Sequence, residues 1–190
     1  MRRINPKDVL IPTLTLFIVC IIITAALALT NSVTAPKIAE NEAKSQQESM
    51  KTVCPQAQSF ELVKEYENGD FIYKGVDADK NIVGYVVSTV SNGYGGQVKV
   101  MTGIKDSKVI GIDVYYNDDE TPGLGKNTSN ESFTSQFTGL LTNDKIAVSK
   151  DGGNNQQVDA VTSSTISSRA VVDAVNKANE IYNNEVGGDK

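Results

Sequence analysis

A chain of 190 residues, 39% hydrophobic and 22% charged, is long enough for one globular domain plus an appendage. With no histidine and only two cysteines it excludes a Ser-His-Asp or Cys-His catalytic engine, and it argues against a zinc site or iron–sulfur cluster made by this chain alone. The net charge of −5 gives no footing for binding nucleic acid or docking on anionic lipid.

Residues 1–8 form a short tip carrying Arg2, Arg3 and Lys7. Residues 9–29 contain no charged side chain, and their thirteen Val, Leu, Ile and Phe residues favour membrane insertion by roughly 4 to 8 kcal/mol. At about 1.5 Å per residue the run is long enough for a transmembrane helix, with Pro12 in its first turn, where proline costs little. A cleaved signal peptide is the competing reading, encouraged by the small residues of Ala26-Leu27-Ala28. Its apolar region runs only about 7 to 15 residues, so the length favours a retained anchor. Basic residues ahead of the span place the N-terminus in the cytoplasm and everything after Thr30 outside. Taking the +2 of residues 1–8 from the overall −5 leaves −7 on the exported side. Cys20 would lie within the membrane and cannot pair with Cys54, so no disulfide framework is expected and both read as inert thiols.

Residues 30–58 are a polar connector, with Pro36 suited to a helix start and Pro55 to a position beyond a helix end. Ile38, Ala39, Ala43, Met50 and Val53 form a thin apolar stripe that favours a connecting helix over a loosely ordered tether. Residues 59–184 read as the folded domain. Phe60–Val63, Phe71–Val76, Ile82–Val90, Gln97–Ile104 and Val109–Tyr116 are strand-like runs broken by turn residues at hairpin spacing, which predicts an antiparallel sheet. No βαβ alternation or G-x-G-x-x-G follows a strand, which disfavours a dinucleotide fold.

Gly93-Tyr94-Gly95-Gly96 reads as a tight hairpin with glycines supplying positive φ. Glu120-Thr121-Pro122-Gly123-Leu124-Gly125 is a turn whose glutamate closes an acidic run, Asp118-Asp119-Glu120, of the kind that usually stays solvated. A short helix is expected over Asn130–Phe137, a strand over Ile146–Val148, and a turn cluster over Asp151–Asn155. Val171, Ala174, Val175, Ala178, Ile181 and Tyr182 then recur at helical spacing, and this C-terminal helix would cover one face of the sheet. Residues 185–190 form a frayed tail. The architecture is therefore α+β: a single N-terminal transmembrane helix, a polar connecting helix, and an antiparallel-sheet domain packed by a C-terminal helix.

Ahead of that last helix stands Asp159-Ala160-Val161-Thr162-Ser163-Ser164-Thr165-Ile166-Ser167-Ser168-Arg169. Its hydroxyls suit a plain N-cap from Thr165, Ser167 or Ser168; equally, the free amides and positive dipole end suit an anion such as phosphate. A helix end contributes roughly 0.3 to 2 kcal/mol to an anion, whereas micromolar retention of a ligand requires about 8 kcal/mol. It orients a phosphate without keeping it.

This segment resembles the attachment motif of the FMN-binding domain found in the G subunit of Rnf-type electron-transport complexes and in the related C subunit of sodium-translocating quinone reductases. The family pattern is Asp, two residues, Ser or Thr, then Gly-Ala-Thr, one residue, and Ser or Thr. It corresponds here to Asp159, Thr162, Ser163-Ser164-Thr165 and Ser167, with Ser163 in place of Gly and Ser164 in place of Ala. Gly93-Tyr94-Gly95 resembles the family's glycine-tyrosine-glycine segment beside the flavin. Residues 120–125 match its Glu-Thr-Pro-Gly-Leu-Gly segment without substitution. The resemblance implies FMN joined to the Thr165 hydroxyl by a phosphoester, with Asp159 as an electrostatic or hydrogen-bonding helper and both loops lining the flavin. It implies maturation by a separate flavin transferase using FAD, and an electron carrier with no catalytic residue and no metal of its own. Its neighbours would be other membrane and redox subunits of an ion-pumping complex linking ferredoxin and NAD, in the cell membrane with the flavin domain outside the cytoplasm. The length suits the Rnf-type G subunit better than the longer C subunit of the quinone reductases. A membrane-tethered flavin carrier or sensor outside such a complex has the same sequence signature.

Overall fold

The computed structural model describes residues 6–152 and 156–187. Arg2 and Arg3, the end of the turn cluster (153–155) and the last three residues lie outside the described residues. The chain falls into two compact units, Met1–Ala43 and Lys44–Lys190.

The expected span and connector are one continuous helix, α1, running Pro6–Val53 with Pro12 and Pro36 both inside it; Pro36 does not start a helix of its own. Among the described residues α1 is the one helix long and apolar enough to cross a membrane. Its apolar side chains from Val9 to Leu29 point outward, as lipid or a partner helix requires. The hydroxyls of Thr13, Thr15 and Thr30 donate to the carbonyls of Val9, Ile11 and Ala26 at 2.8–2.9 Å, so none meets hydrocarbon unpaired.

The second unit is built on five strands: β1 (Ser59–Glu65), β2 (Phe71–Val76), β3 (Ile82–Asn92), β4 (Gln97–Lys105) and β5 (Lys108–Tyr116). They pair antiparallel in sequence order, as the turn spacing predicts. Side chains alternate across the sheet, so β4 sends Val98, Val100, Thr102 and Ile104 to one face and Met101 to the other. After β5 come a 3-10 turn over Gly125–Ser129, the short helix α2 (Glu131–Thr134) and a second 3-10 turn over Ser135–Phe137. Strands β6 (Ile146–Val148) and β7 (Gln156–Val158) follow, and then the long helix α3 (Thr165–Glu185).

Helix α3 covers the face of β3 and β4 with the apolar stripe read from its sequence. Val171, Ala174, Val175 and Ala178 are all fully buried, with Phe137, Val98 and Val100 beneath the first part and Ile72, Val87 and Ile104 beneath the second. A carboxylate clamps the helix to the sheet: Asp70, 1% exposed, accepts from Lys177 Nζ at 2.6 Å and from the Val90 amide at 3.0 Å. On the opposite face Met50, Val53 and Cys54 pack against Phe71, Val86 and Met101. Burial pushes the Cys54 thiol up, which fits an inert side chain.

Two expectations need correction. The strand expected over Ile146–Val148 is β6, but it pairs in parallel with β7, which the sequence does not mark because Gln156-Gln157 is polar and three residues are too short to show a period. Gln156 is nonetheless fixed: its side chain donates to the Leu141 carbonyl at 2.9 Å and accepts from the Leu141 amide at 2.7 Å. The expected tail also begins too early. Glu185 is the last residue of α3 and accepts from Lys64 Nζ at 2.6 Å and Tyr66 OH at 2.9 Å.

Candidate functional site

Three segments meet at one end of the sheet: the β3–β4 hairpin loop 93–96, the loop after β5 that holds residues 120–125, and the start of α3. Glu120 joins them. It is not the solvated end of an acidic run: Asp118 and Asp119 are exposed, but Glu120 is only 2% exposed. Its Oε1 accepts from the amides of Tyr94 at 2.7 Å and Gly95 at 3.3 Å, and its Oε2 accepts from Ser167 Oγ at 2.8 Å. One carboxyl group thus ties the hairpin loop to the first turn of α3.

That crosslink explains the glycines. None of Gly93, Gly95 and Gly96 has positive φ, contrary to the expected tight turn. A Cβ on Gly93 would strike Glu120 Oε1, a Cβ on Gly125 would strike Oε2, and a Cβ on Gly95 would strike the Asp119 carbonyl. The bare backbone makes room for Glu120 and its neighbour.

Helix α3 starts without a side-chain cap. Thr165, Ser167 and Ser168, read as candidate caps, lie inside the helix: Ser167 Oγ is held by Glu120, and Ser168 Oγ accepts from the Val161 amide at 3.0 Å. The N-cap position is Ser164, whose own hydroxyl is buried without a partner. The helical ladder begins with the Ser168 amide on the Ser164 carbonyl at 2.9 Å. The amides of Thr165, Ile166 and Ser167 therefore precede the ladder and carry the positive end of the helix. Before them Ser163 sits at φ +62°, the left-handed conformation that a glycine adopts without strain.

A cavity of about 450 Å³ opens over this helix start, within the ~300–1,000 Å³ of small-molecule sites. Tyr94, Glu120, Thr121, Leu124, Gly125, Ser163, Ser164, Thr165 and Ser167, all singled out in the sequence, line it. Gly93 and Gly95 stand behind it against Glu120 and Asp119. Thr162 and Asp159 are on a different wall, lining a second cavity of about 500 Å³ that shares Leu124 and Ser163 with the first; Gly123 lines that second cavity too. Asp159 is engaged there by Ser149 Oγ at 2.6 Å, and its amide donates to Gln136 at 2.7 Å. Pro122 is exposed at the tip of its loop and lines neither cavity. Sequence reasoning missed Ile166, which lines the first cavity and is 52% exposed. An apolar residue in the first turn of an otherwise hydroxyl-rich helix start was its signal. Beside the loop, burial and then the nearby Asp119 push the Tyr116 phenol up.

The residues present suit a flavin mononucleotide. Uncapped amides and an unpartnered hydroxyl at a helix start are donors for a phosphate. The outward-facing Tyr94, Leu124 and Ile166 offer apolar surface to a planar ring.

Comparison with known proteins agrees. Residues 93–180, which contain every residue of this site, match the family model described as FMN-binding domain, and residues 1–53 match the RnfG N-terminal region. The chain is 37% identical over 182 residues to the G subunit of the ion-translocating oxidoreductase complex of Methanosarcina acetivorans, covering 92% of this chain and 94% of that protein. It is 35% identical over 191 residues to the G subunit of the Na(+)-translocating ferredoxin:NAD(+) oxidoreductase complex of Acetobacterium woodii, covering 90% of each. Among solved structures, the C subunit of the Na(+)-translocating NADH-quinone reductase from Parabacteroides distasonis shares the fold, with a TM-score of 0.56 at 17% identity over 78% of this chain and 94% of that one. With a helix fit to cross the membrane, this fold, and sequence identity along nearly its whole length, the chain belongs to the family of G subunits of ion-translocating oxidoreductase complexes, and its extramembrane part is an FMN-binding domain.

Proposed function

We propose that Thr165 carries FMN covalently through a phosphoester, and that the protein relays electrons between neighbouring redox subunits of an ion-pumping complex. One observation carries the assignment of the residue. Thr165 is the first residue of an uncapped helix and faces a cavity built from both glycine-containing loops, whereas Thr162 lines a different cavity. Attachment needs a modifying enzyme with FAD as donor. The Thr165 oxygen bonds to the phosphorus of the FMN half, the pyrophosphate bond breaks, AMP leaves, and the threonine proton passes to a base on that enzyme. Among the described residues of the site no side chain is a free base for that proton, since Glu120 already accepts three hydrogen bonds.

FMN supplies electron transfer. The chain's part is to hold and shield it. The Thr165, Ile166 and Ser167 amides orient the phosphate, Tyr94, Leu124 and Ile166 cover the ring, and Glu120 keeps the two sides of the pocket together. Ferredoxin and NAD are proposed as the ends of the electron path, because those two names appear in the A. woodii relative and in the proton-translocating counterpart of Clostridium ljungdahlii, 32% identical over 177 residues. The basic residues ahead of α1 support a cytoplasmic N-terminus and an FMN domain on the far side of the membrane.

Intact mass after denaturation tests the site, using chain made together with a flavin transferase. The mass is expected to rise by one FMN residue in the parent and in Thr162→Ala, and to lose that increment in Thr165→Ala. Persistence of the increment in Thr165→Ala overturns the assignment.

A further inference from the structure

The buried Glu120 carboxyl has no ion-pair partner among the described residues, although both its oxygens accept hydrogen bonds. Two backbone amides donate to Oε1, and the Ser167 hydroxyl, whose proton can turn either way, meets Oε2; the ionised form of Glu120 accepts all three contacts. The nearest lysine in its loop, Lys126, is turned to Asp118 at 3.3 Å. What compensates the charge is neutral: two peptide dipoles, one hydroxyl, and the positive end of α3, whose first turn contains Ser167.

We propose that Glu120 is the positioning residue of the pocket and that its buried negative charge holds down the reduction potential of the flavin bound there. The inference rests on the flavin reading above. Each electron added to a flavin in this cavity brings negative charge toward a carboxylate in its wall, and because that carboxylate is itself buried the repulsion is only partly screened. Reduction is therefore opposed and the potential lowered, which suits a relay for strongly reducing electrons. The same carboxylate sets the geometry, because it bridges the Tyr94-Gly95 loop and the α3 start.

Glu120→Gln separates charge from shape: the amide oxygen still accepts from Tyr94 and Gly95, and the amide nitrogen donates to Ser167 Oγ. The test uses the full-length flavinylated chain in detergent and reads the flavin midpoint potential together with hydrogen exchange of the Tyr94 and Gly95 amides. Glu120→Gln is expected to move the potential positive with exchange near that of the parent. Asp118→Asn, which removes an exposed charge from the same loop and leaves Glu120 in place, should leave the potential unchanged. Glu120→Ala should move it positive and speed exchange of the two amides roughly tenfold or more.

An unchanged potential in Glu120→Gln overturns the proposal. So does an equal positive shift in Asp118→Asn, which would trace the effect to acidic charge in general and not to the buried carboxylate. Should Glu120→Gln fail to fold or to take flavin, Glu120→Asp decides: a potential like the parent's supports the proposal, and a positive shift overturns it. A parent chain with no flavin in its intact mass overturns the cofactor reading and this inference with it, and that result is distinguishable because it appears before any potential is measured.

Discussion

The two ends of α3 have opposite chemistry. In the last turn of α3 Asn183 exchanges hydrogen bonds with Thr142 at 3.0 Å, Glu185 is held by Lys64 and Tyr66, and Tyr182 packs edge-on to Tyr85, although one turn earlier the buried Asn179 amide has no partner. At the N-terminal end the first amides have no cap, the Ser164 hydroxyl is buried alone, Ser163 is left-handed and Ile166 is exposed. The last turn thus serves stability, while the helix start keeps unsatisfied bonding capacity beside a cavity. Beside a cavity, such unsatisfied groups are ones that a ligand can complete.

Substitutions break or sharpen this contrast. The largest effect is expected from Gly95→Ala, whose methyl group meets backbone at the Asp119 carbonyl and has no soft neighbour to displace. It should cost about 1–3 kcal/mol in chemical denaturation and also lower flavin uptake, because the Glu120 crosslink shifts with the loop. Ser164→Ala removes the lone hydroxyl. It should raise the stability of the flavin-free chain by about 1 kcal/mol, the lower range for an unsatisfied buried group, without matching gain in the flavinylated chain. Ser163→Gly relieves left-handed strain of about 1–2 kcal/mol against a glycine entropy cost of about 0.5–1 kcal/mol, for a net gain of roughly 0.5–1 kcal/mol in thermal denaturation.

The smallest effect is a pH dependence confined to the C-terminal end. Lys64 first, then Tyr66, hold the Glu185 carboxyl below its ordinary range. A carboxyl whose folded value is depressed contributes stability above its unfolded pKa and loses it as the pH falls through the folded value. Amide exchange in the last turn of α3 should therefore quicken on acidification below the usual carboxylate range. Lys64→Met should flatten that dependence and leave the flavin end of the helix unaffected.

Most of the sheet was legible because β2, β3, β4 and β5 are long β-branched runs set off by Asn-Gly, Asp-Lys-Asn and Asp-Ser turns, and these fix both period and order. The apolar stripe of α3 was legible for the same reason. What escaped notice depends on distant partners. Nothing local in Asp118-Asp119-Glu120 marks the third carboxylate as buried, because the amides that receive it belong to residues 94 and 95. The loop glycines were read as turn formers, since sequence shows a missing side chain but not the oxygen that fills its place. Asp159 and Thr162 are near Thr165 in the chain, yet the left-handed turn at Ser163 sends them to another cavity. Continuity of α1 through Pro36 overrode a proline signal that ordinarily marks a boundary.

Strand β1 is the outermost of the sheet and is exposed along nearly its whole length, with Leu62 and Val63 open to solvent. Such a free edge invites intermolecular strand addition and fibrous self-association. The register slip between Leu62 and Lys64 interrupts the regular ladder, and Glu61, Lys64 and Glu65 supply charges of both signs beside the apolar pair. An irregular, charged margin of this kind disfavours strand addition from a second copy.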